Sequence, residues 1–323
     1  MLPLTSNLLI NGKFQPGLWT RLHGMPAGTP IPCPVWAQTF AADRWRVRYS
    51  VPCGGEVSQA CATEIPDGIA TGSSLEIRGN NGVAQEVCVG QNIEADEAVS
   101  FRGALRFSAW VKVQHPHLSR CDATLVAGSP ASADLFDASV ETVERIPLPA
   151  LALDRWTRME IALKGSAYRA TGLRVELGFP AEFLSDPAAR VLLADVSLSC
   201  ASTALAERPP ALERFLARRF FQRHDGTSAN AIGRALTSNP HELFFQFSFP
   251  EMRAAPACTL TQDNADLCVF SHDGQPQAGF AYDVTFSART SVIIRATKVR
   301  HQLRDGYLAF RGHRGAILLE AEL

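Results

Sequence analysis

Aromatic side chains outside regular strands are the residues of this sequence best suited to molecular recognition. Trp19 and Trp36 stand in stretches rich in glycine and proline, and Tyr49 follows soon after them. Flat aromatic faces stack on the C–H surfaces of pyranose rings, while neighbouring polar groups hydrogen-bond to sugar hydroxyls. Trp19, Trp36 and Tyr49 are therefore predicted to bind carbohydrate, with packing inside a loop as the alternative. Trp45, Trp110 and Trp156 stand within or at the start of apparent strands and are predicted to pack in a core.

A polar segment around residue 80 supplies amide groups for the same chemistry. Asn80 and Asn81 precede Gly82, and Gln85 follows shortly after. Asn-Gly is also the strongest short hairpin signal, so the pattern favours a turn over hydroxyl recognition. Asn80, Asn81 and Gln85 are kept as the polar half of the predicted carbohydrate site.

Motifs of the common enzyme classes are missing from the sequence. It contains no G-x-S-x-G elbow, H-E-x-x-H motif, P-loop or G-x-G-x-x-G turn. A polysaccharide depolymerase would need two carboxylates across a cleft, and Asp134, Asp137, Asp263 and Asp266 are available. Aspartates are ordinary in turns, so the sequence favours a binding protein that is not an enzyme.

Length and charge limit the remaining function classes. The chain has 323 residues, 46% of them hydrophobic, and a formal net charge of -1, which predicts about two globular domains. Nucleic-acid binding is disfavoured because phosphate contacts need a surplus of Lys and Arg. No long apolar run predicts membrane insertion, and residues 1–7 do not resemble a secretory signal. We expect a soluble protein made in the cytosol.

Eight cysteines are spread along the chain without any C-x-x-C pair. This spacing does not fit a zinc or redox motif, so most of them are predicted to be small buried side chains. Cys53 and Cys61 flank a Gly-Gly loop, and a disulfide between them stays open.

Short alternating segments predict an all-β fold. In the segment 105–113, one set of alternate side chains is apolar and the other includes Arg106, Ser108 and Lys112. The period changes at 204–226, where Leu212, Phe215, Leu216 and Phe220 recur at helical spacing. The predicted domains are an N-terminal β-sandwich jelly roll at 1–203, a linker helix at 204–226 and a small C-terminal β domain at 227–323.

Several segments resemble a known family. Residues 7–17 (NLLINGKFQPG) and 40–45 (FAADRW) resemble the opening of the carbohydrate-binding-module-like jelly roll of bacteriophage tail and receptor-binding proteins. The segments 105–113, 154–159 and 192–198 agree with it downstream. Residues 206–210 and the helix after them are similar to the connection into a small C-terminal β domain of phage and prophage proteins, which 249–256 resembles at its entry.

The resemblance implies a spike or fibre protein on the surface of a phage-like particle, with a gene-transfer-agent head spike or a tail fibre as the specific expectation. Such a protein would bind capsular or other host polysaccharide, contact other virion proteins, form a homo-oligomer and be assembled in the bacterial cytoplasm. Two functions remain as alternatives to polysaccharide binding on a particle: a structural adaptor that binds no sugar, and a capsule depolymerase.

A structural calcium ion is also implied by the resemblance. In related jelly rolls, a Glu after the Phe of the opening motif and the Asp of the closing strand help to hold the ion. Here Gln15 follows Phe14, so only Asp195 remains as a charged ligand. Calcium prefers several oxygen ligands that include carboxylates, so the expectation is no cofactor, with structural calcium at Asp195 as the alternative.

Overall fold

The computed structural model describes most of the chain, and all statements below concern these parts. They are residues 7–19, 28–33, 39–40, 42–49, 57–69, 72–83, 85–100, 103–136, 140–163, 170–200, 208–225, 231–239, 241–261, 267–271, 275–277, 279–298, 306–310 and 315–322. The chain folds as two compact units, Met1–Ala217 and Arg218–Glu322.

The first unit is a β-sandwich of two six-stranded antiparallel sheets. The first sheet, in spatial order, contains β1 (Ile31–Cys33), β4 (Val57–Ala62), β5 (Ser74–Arg78), β14 (Arg190–Cys200), β7 (Leu105–Gln114) and β12 (Thr157–Leu163). The second contains β10 (Val140–Pro147), β9 (Thr124–Pro130), β13 (Leu173–Phe179), β6 (Val87–Ile93), β3 (Arg46–Tyr49) and β2 (Thr39–Phe40). The short strands β8 (Arg120–Cys121) and β11 (Leu151–Ala152) form a separate pair.

Alternation of apolar and polar residues places the core between the two sheets. Along β7, each odd-numbered residue from Leu105 to Val113 is buried and each even-numbered residue is half-buried. The inward residues of β7, β14, β13 and β6 join one hydrophobic cluster. Two short helices, α1 (Ala95–Ser100) and α2 (Ala181–Leu184), lie in the connections. The all-β fold class predicted from the sequence is therefore confirmed.

The second unit is also built from β-strands. Its three-stranded sheet contains β15 (Phe221–Asp225), β24 (Ala316–Glu320) and β18 (Ala257–Leu260). Its seven-stranded sheet contains β20 (Pro276–Gln277), β19 (Leu267–Phe270), β23 (Tyr307–Phe310), β16 (Ala231–Ser238), β17 (Glu242–Ser248), β22 (Ser291–Thr297) and β21 (Ala281–Ser287). Leu243, Phe245, Ile294, Leu308 and Ile317 are fully buried in its core.

The helix predicted at 204–226 is shorter in the structure. Helix α3 spans Pro210–Arg218, and all but its last residue belong to the first unit. Residues 221–225 are strand β15, because they pair with β24 in register from Phe221 opposite Glu320. Residues 204–207 and 226 lie outside the described residues. The prediction failed after Arg218 because a long-range ladder outweighs the local helical pattern.

The described segments contain no candidate for a membrane-spanning helix. None of the helices in the described segments has the length and apolar character that crossing a bilayer requires.

A buried carboxylate ties the strands of the second sheet together. Glu176 of β13 is fully buried, and its Oε1 lies 2.5 Å from Nη2 of Arg46 and 2.9 Å from Nε of Arg48, both on β3. Gly90 of β6 lies between them in the ladder, and a Cβ there would be 2.9 Å from Cγ of Glu176. A Cβ there would also lie 2.0 Å from the carbonyl oxygen of Val175, so a glycine is needed for β6 and β13 to pair this closely around the ion pair.

The pKa of Glu176 reflects this surrounding. Burial alone would raise it, but the charge of Arg46 and the hydrogen bonds and charge of Arg48 outweigh burial and lower the pKa from 4.5 to about 2. A carboxylate with a lowered pKa in the folded state stabilises the fold above its unfolded pKa. That contribution is lost as the pH falls from about 4.5 towards about 2.

We expect Glu176→Gln to lower the free energy of unfolding by about 3–5 kcal/mol at pH 7, because it removes the buried carboxylate that contacts both Arg46 and Arg48. Urea unfolding of the full chain measures this. The variant should also lose less stability than the wild type when the pH is lowered from 5 to 3. Glu160→Gln is the matched control, since Glu160 pairs with Arg158 on the exposed surface and should contribute less than about 1 kcal/mol. Equal stability of the Glu176 variant and the wild type would contradict the assignment.

Candidate functional site

Two of the aromatic residues predicted to bind sugar are buried. Trp19 is only 6% exposed, and its Nε1 donates a hydrogen bond of 3.0 Å to the carbonyl oxygen of Phe14. Tyr49 is also 6% exposed, and its hydroxyl accepts a hydrogen bond from the Val57 amide. Both side chains belong to the sandwich core. The structure therefore corrects these two predictions, because a buried ring offers no face to a sugar.

The remaining predicted residues lie elsewhere. Trp36 is outside the described residues. Asn80 and Asn81 are exposed on the turn after β5, where the Val83 amide donates to the carbonyl oxygen of Asn80, and Gln85 is half-buried. The described residues of the predicted site thus do not form one surface, and sugar binding by Asn80, Asn81 and Gln85 stays a prediction.

Cys61 has its own local partner. Its Sγ lies 3.3 Å from Oγ of Ser73, and it is a free thiol. Burial raises the pKa of this thiol. The other half of the possible disulfide, Cys53, is outside the described residues.

Asp195 lies in a bulge of β14. The register against β7 shifts between Ala194 and Ser197, and Asp195 has a φ of 47°. This left-handed conformation is one that Asp tolerates better than most residues. The bulge places Asp195 in the lining of a small cavity of about 40 Å³.

The residues around Asp195 do not fit calcium. Lys13 and Arg208 line the same cavity, as do the amide side chain Gln15 and the carboxylate Glu213. Oε2 of Glu213 already accepts a hydrogen bond of 2.6 Å from the Asn11 amide, and Oε1 lies 3.0 Å from Nε of Arg208. Within the described segments, no group of three or more His, Cys, Asp or Glu side chains could hold a metal ion. Calcium needs 6–8 oxygen ligands, and this lining holds two carboxylates, of which Glu213 is already engaged, together with two cations that would repel the ion.

A different surface brings an aromatic ring and hydrogen-bonding groups together. We call it the Trp110 face and define it as the outward side of strands β5, β14 and β7, with its residues Glu76, Arg78, Arg190, Leu192, Trp110 and Lys112. Its neighbours follow from the register, since Leu192 pairs with both Glu76 and Lys112, and Trp110 pairs with Ala194. Ala194 has no side chain beyond Cβ, so the strand beside Trp110 leaves the ring room.

Ion pairs fix the charged side chains of the Trp110 face. Glu76 is nearly buried, and its two carboxylate oxygens lie 3.0 Å from Nη2 of Arg78 and 3.3 Å from Nε of Arg190. Lys112 forms an ion pair with Glu64, which follows β4. These pairs hold long side chains in place without help from a ligand, so the face is preorganised.

A cavity of about 260 Å³ opens beside these ion pairs. Its lining includes Glu64, Glu76, Arg190, Leu192 and the backbone of Gly28. Trp110 does not line the cavity but lies on the same side of the sheet, since Lys112, the partner of the lining residue Glu64, is two residues from Trp110 on the same side of β7. Residues two apart on a strand are separated by about 6.6 Å. The ring and the cavity therefore belong to one surface.

Polar atoms of the Trp110 face have unused hydrogen-bonding capacity. Nε1 of Trp110 and Nε of Arg78 are buried and have no hydrogen-bond partner among the described residues, and Oε1 of Glu76 has only its ion-pair contact with Arg190. A buried donor without an acceptor costs about 1–3 kcal/mol. These three atoms are closed to solvent, so a ligand on this face would meet the half-buried indole and the partly exposed guanidinium groups of Arg78 and Arg190 instead.

Sequence reasoning placed Trp110 in the core and so missed this face. The signal was present, since Trp110 falls in the same alternate set as Arg106, Ser108 and Lys112. In the structure this whole set is half-buried, on the side away from the core. Trp45, by contrast, is buried as predicted.

Comparison with known proteins gives remote structural likenesses. The sequence matches no protein-family model and no curated protein. An arabinose-bound GH51 α-L-arabinofuranosidase is 14% identical with a TM-score of 0.39, over 61% of this chain and 26% of that chain. The enzymatically active domain of bacteriophage CBA120 tailspike protein 4 is 9% identical with a TM-score of 0.35, over 60% and 21%. The CBM22-1 xylan-binding domain from Paenibacillus barcinonensis Xyn10C is 12% identical with a TM-score of 0.32, over 56% and 100%.

The chain thus spans about a quarter or less of the first two proteins. Both are enzymes, which contradicts the expectation from the sequence that the chain is not an enzyme, and that expectation is withdrawn. The assignment of the fold rests on the sheet topology described above.

We expect Trp19→Ala to lower the free energy of unfolding by about 3–5 kcal/mol, because it leaves a cavity in the core and removes the hydrogen bond to Phe14. Trp110→Ala should cost clearly less, since Trp110 is half-exposed on the outer side of its sheet. Thermal and urea unfolding of the two variants measure the difference. A Trp19 variant that unfolds like the wild type would contradict the placement of this ring in the core.

Proposed function

We propose that this chain binds a polysaccharide on the Trp110 face. The observation that carries the proposal is the half-buried indole of Trp110 on the outward side of the sheet that also carries a polar cavity lined by Glu64, Glu76 and Arg190. Sugars combine C–H faces that stack on aromatic rings with hydroxyl groups that both donate and accept. The face offers a ring, donors and a carboxylate in that arrangement.

We further propose that the protein is a spike or fibre protein on the surface of a phage-like particle and attaches it to host cell-surface polysaccharide. The support is the resemblance of residues 7–17 and 40–45 to the opening of phage receptor-binding jelly rolls. Display of several copies on one particle would raise the avidity of a weak single site by orders of magnitude. A homo-oligomer and contacts to other virion proteins belong to this proposal.

Binding of purified capsular polysaccharide by the full chain tests the site, with calorimetry as the readout. We expect Trp110→Ala to weaken binding about tenfold or more, equivalent to about 1.4 kcal/mol, because the stacking face is lost. The double variant Asn80→Ala with Asn81→Ala should bind like the wild type. Glu141→Gln, an exposed residue on β10 of the other sheet, is the control for nonspecific effects.

The opposite pattern would move the site to the turn after β5: wild-type affinity for the Trp110 variant and lost affinity for the double variant. If the wild type binds none of the capsular or lipopolysaccharide glycans of its host, polysaccharide binding itself is wrong. Shortening of the polysaccharide chains during incubation would instead identify a depolymerase.

The role on a particle is tested separately with particles that carry the Trp110 variant. We expect normal numbers of intact particles that adsorb poorly to host cells, since the change affects one outer surface and not the core. Electron microscopy counts the particles, and loss of free particles after mixing with cells measures adsorption. Failure of assembly with a stable, folded variant would favour the structural adaptor.

A further inference from the structure

The amino-terminal segment of the first unit is buried without being part of a sheet. Residues 7–14 belong to no strand, yet Leu9, Ile10, Asn11 and Phe14 are almost completely inaccessible to solvent. Buried peptide groups need hydrogen-bond partners, and a segment outside a ladder must find them individually. Asn11 shows how this is done, as its Nδ2 donates to the carbonyl oxygens of Leu18 and Asp43.

Arg208 supplies the partner for two of these peptide carbonyls. Its Nη2 donates to the carbonyl oxygens of both Asn7 and Leu9, and its Nε lies 3.0 Å from Oε1 of Glu213. Arg208 is only 8% exposed. A single guanidinium therefore collects three oxygen atoms from two separate parts of the chain, and hydrogen bonds from charged donors are stronger than neutral ones.

Glu213 completes the arrangement from helix α3. The carboxylate is 7% exposed and joins Arg208 to the backbone of Asn11, whose amide donates to Oε2 at 2.6 Å. The positive charge thus lies beside a carboxylate and two carbonyl oxygens. These oxygen atoms are ligands of the kind that a bound metal cation would use, and the guanidinium group of Arg208 already occupies their place.

We propose that Arg208 replaces a structural cation in this chain, and that the first unit reaches full stability without calcium. Asp195 is the one carboxylate near the cavity that Arg208 does not engage, and Lys13 lines the same cavity. A calcium ion there would face Lys13 and Arg208, while Glu213 is already engaged by Arg208 and the Asn11 amide, which leaves Asp195 as the carboxylate for the ion. The proposal concerns the fold and does not depend on polysaccharide binding.

The arrangement also explains why helix α3 belongs to the first unit. Arg208 precedes the helix and Glu213 lies in its first turn, so the end of the first unit contacts its amino-terminal segment. The sequence separation between Arg208 and Asn7 is 201 residues. The two ends of the first unit are therefore joined by a charged side chain.

Thermal unfolding of the full wild-type chain, with EDTA and with millimolar CaCl2, is the first test. We expect the two midpoints to agree within about 1 °C, because a ligand that does not bind the native state cannot stabilise it. Titration of calcium followed by calorimetry should show no binding. A midpoint raised by calcium, or saturable binding, would overturn the proposal.

Substitution of Arg208 is the second test. We expect Arg208→Ala to raise the equilibrium constant for unfolding at least about tenfold, because the carbonyl oxygens of Asn7 and Leu9 lose a charged donor and Glu213 loses its counter-charge. The stability of Arg208→Lys should lie between those of Arg208→Ala and the wild type, since an ammonium group keeps the positive charge but lacks the planar set of donors of a guanidinium. Arg214→Ala, which removes an exposed guanidinium from the same helix, is the matched control and should leave stability near that of the wild type.

The result is decisive whether or not the alanine variant folds. If Arg208→Ala is insoluble, the comparison of Arg208→Lys with Arg214→Ala still reports on the guanidinium. If Arg208→Ala is as stable as the control, Arg208 does not hold the segment and the proposal fails.

Discussion

A buried segment with no ladder must have its peptide groups satisfied one at a time, and this constraint organises the first unit. Asn7 shows it from the side of the segment, because its Nδ2 donates to the carbonyl oxygen of Val196 and its Oδ1 accepts from the amides of Leu9 and Leu198. Gly12 also contacts this part of β14, and it has to be glycine because a Cβ there would lie 1.9 Å from the carbonyl oxygen of Val196. The presence of Asn7 and Gly12 five residues apart in the opening motif therefore has a physical cause, which is their contact with the backbone of Val196.

The same constraint reaches the candidate site through β14. The bulge at Asp195 lets the Val196 amide donate to the carbonyl oxygen of Gly12, so this part of the strand serves the amino-terminal segment. The preceding residues Arg190 and Leu192 form part of the Trp110 face and its cavity. One strand thus carries the contacts to the amino-terminal segment in one part and the proposed binding surface in another. A change of its register would disturb both.

Periodic parts of the chain were predictable from the sequence, and irregular parts were not. The alternation in 105–113 correctly predicted which side of β7 faces the core. Trp19 was misplaced because a segment rich in glycine and proline has no period that tells a buried ring from an exposed one. Trp110 was misplaced for a different reason: its residue type was given more weight than its position in the polar set. Neither Glu176 nor Arg208 was foreseen, since their partners lie 130 and about 200 residues away.

Buried ion pairs of this kind contribute to uniqueness more than to net stability. Removing two charges from water costs nearly as much as their attraction returns, so a well-packed apolar pair would often serve equally well. A slip of β13 by one residue, however, would turn Glu176 towards the core and away from Arg46 and Arg48, and such a slip reverses every side chain. The ion pair therefore excludes the alternative register. The ion pairs of the Trp110 face differ from it because Arg78, Arg190 and Glu64 remain partly open to solvent beside a cavity. These charged groups are already partly desolvated and still accessible, so they are better placed to bind a ligand than to specify a strand register.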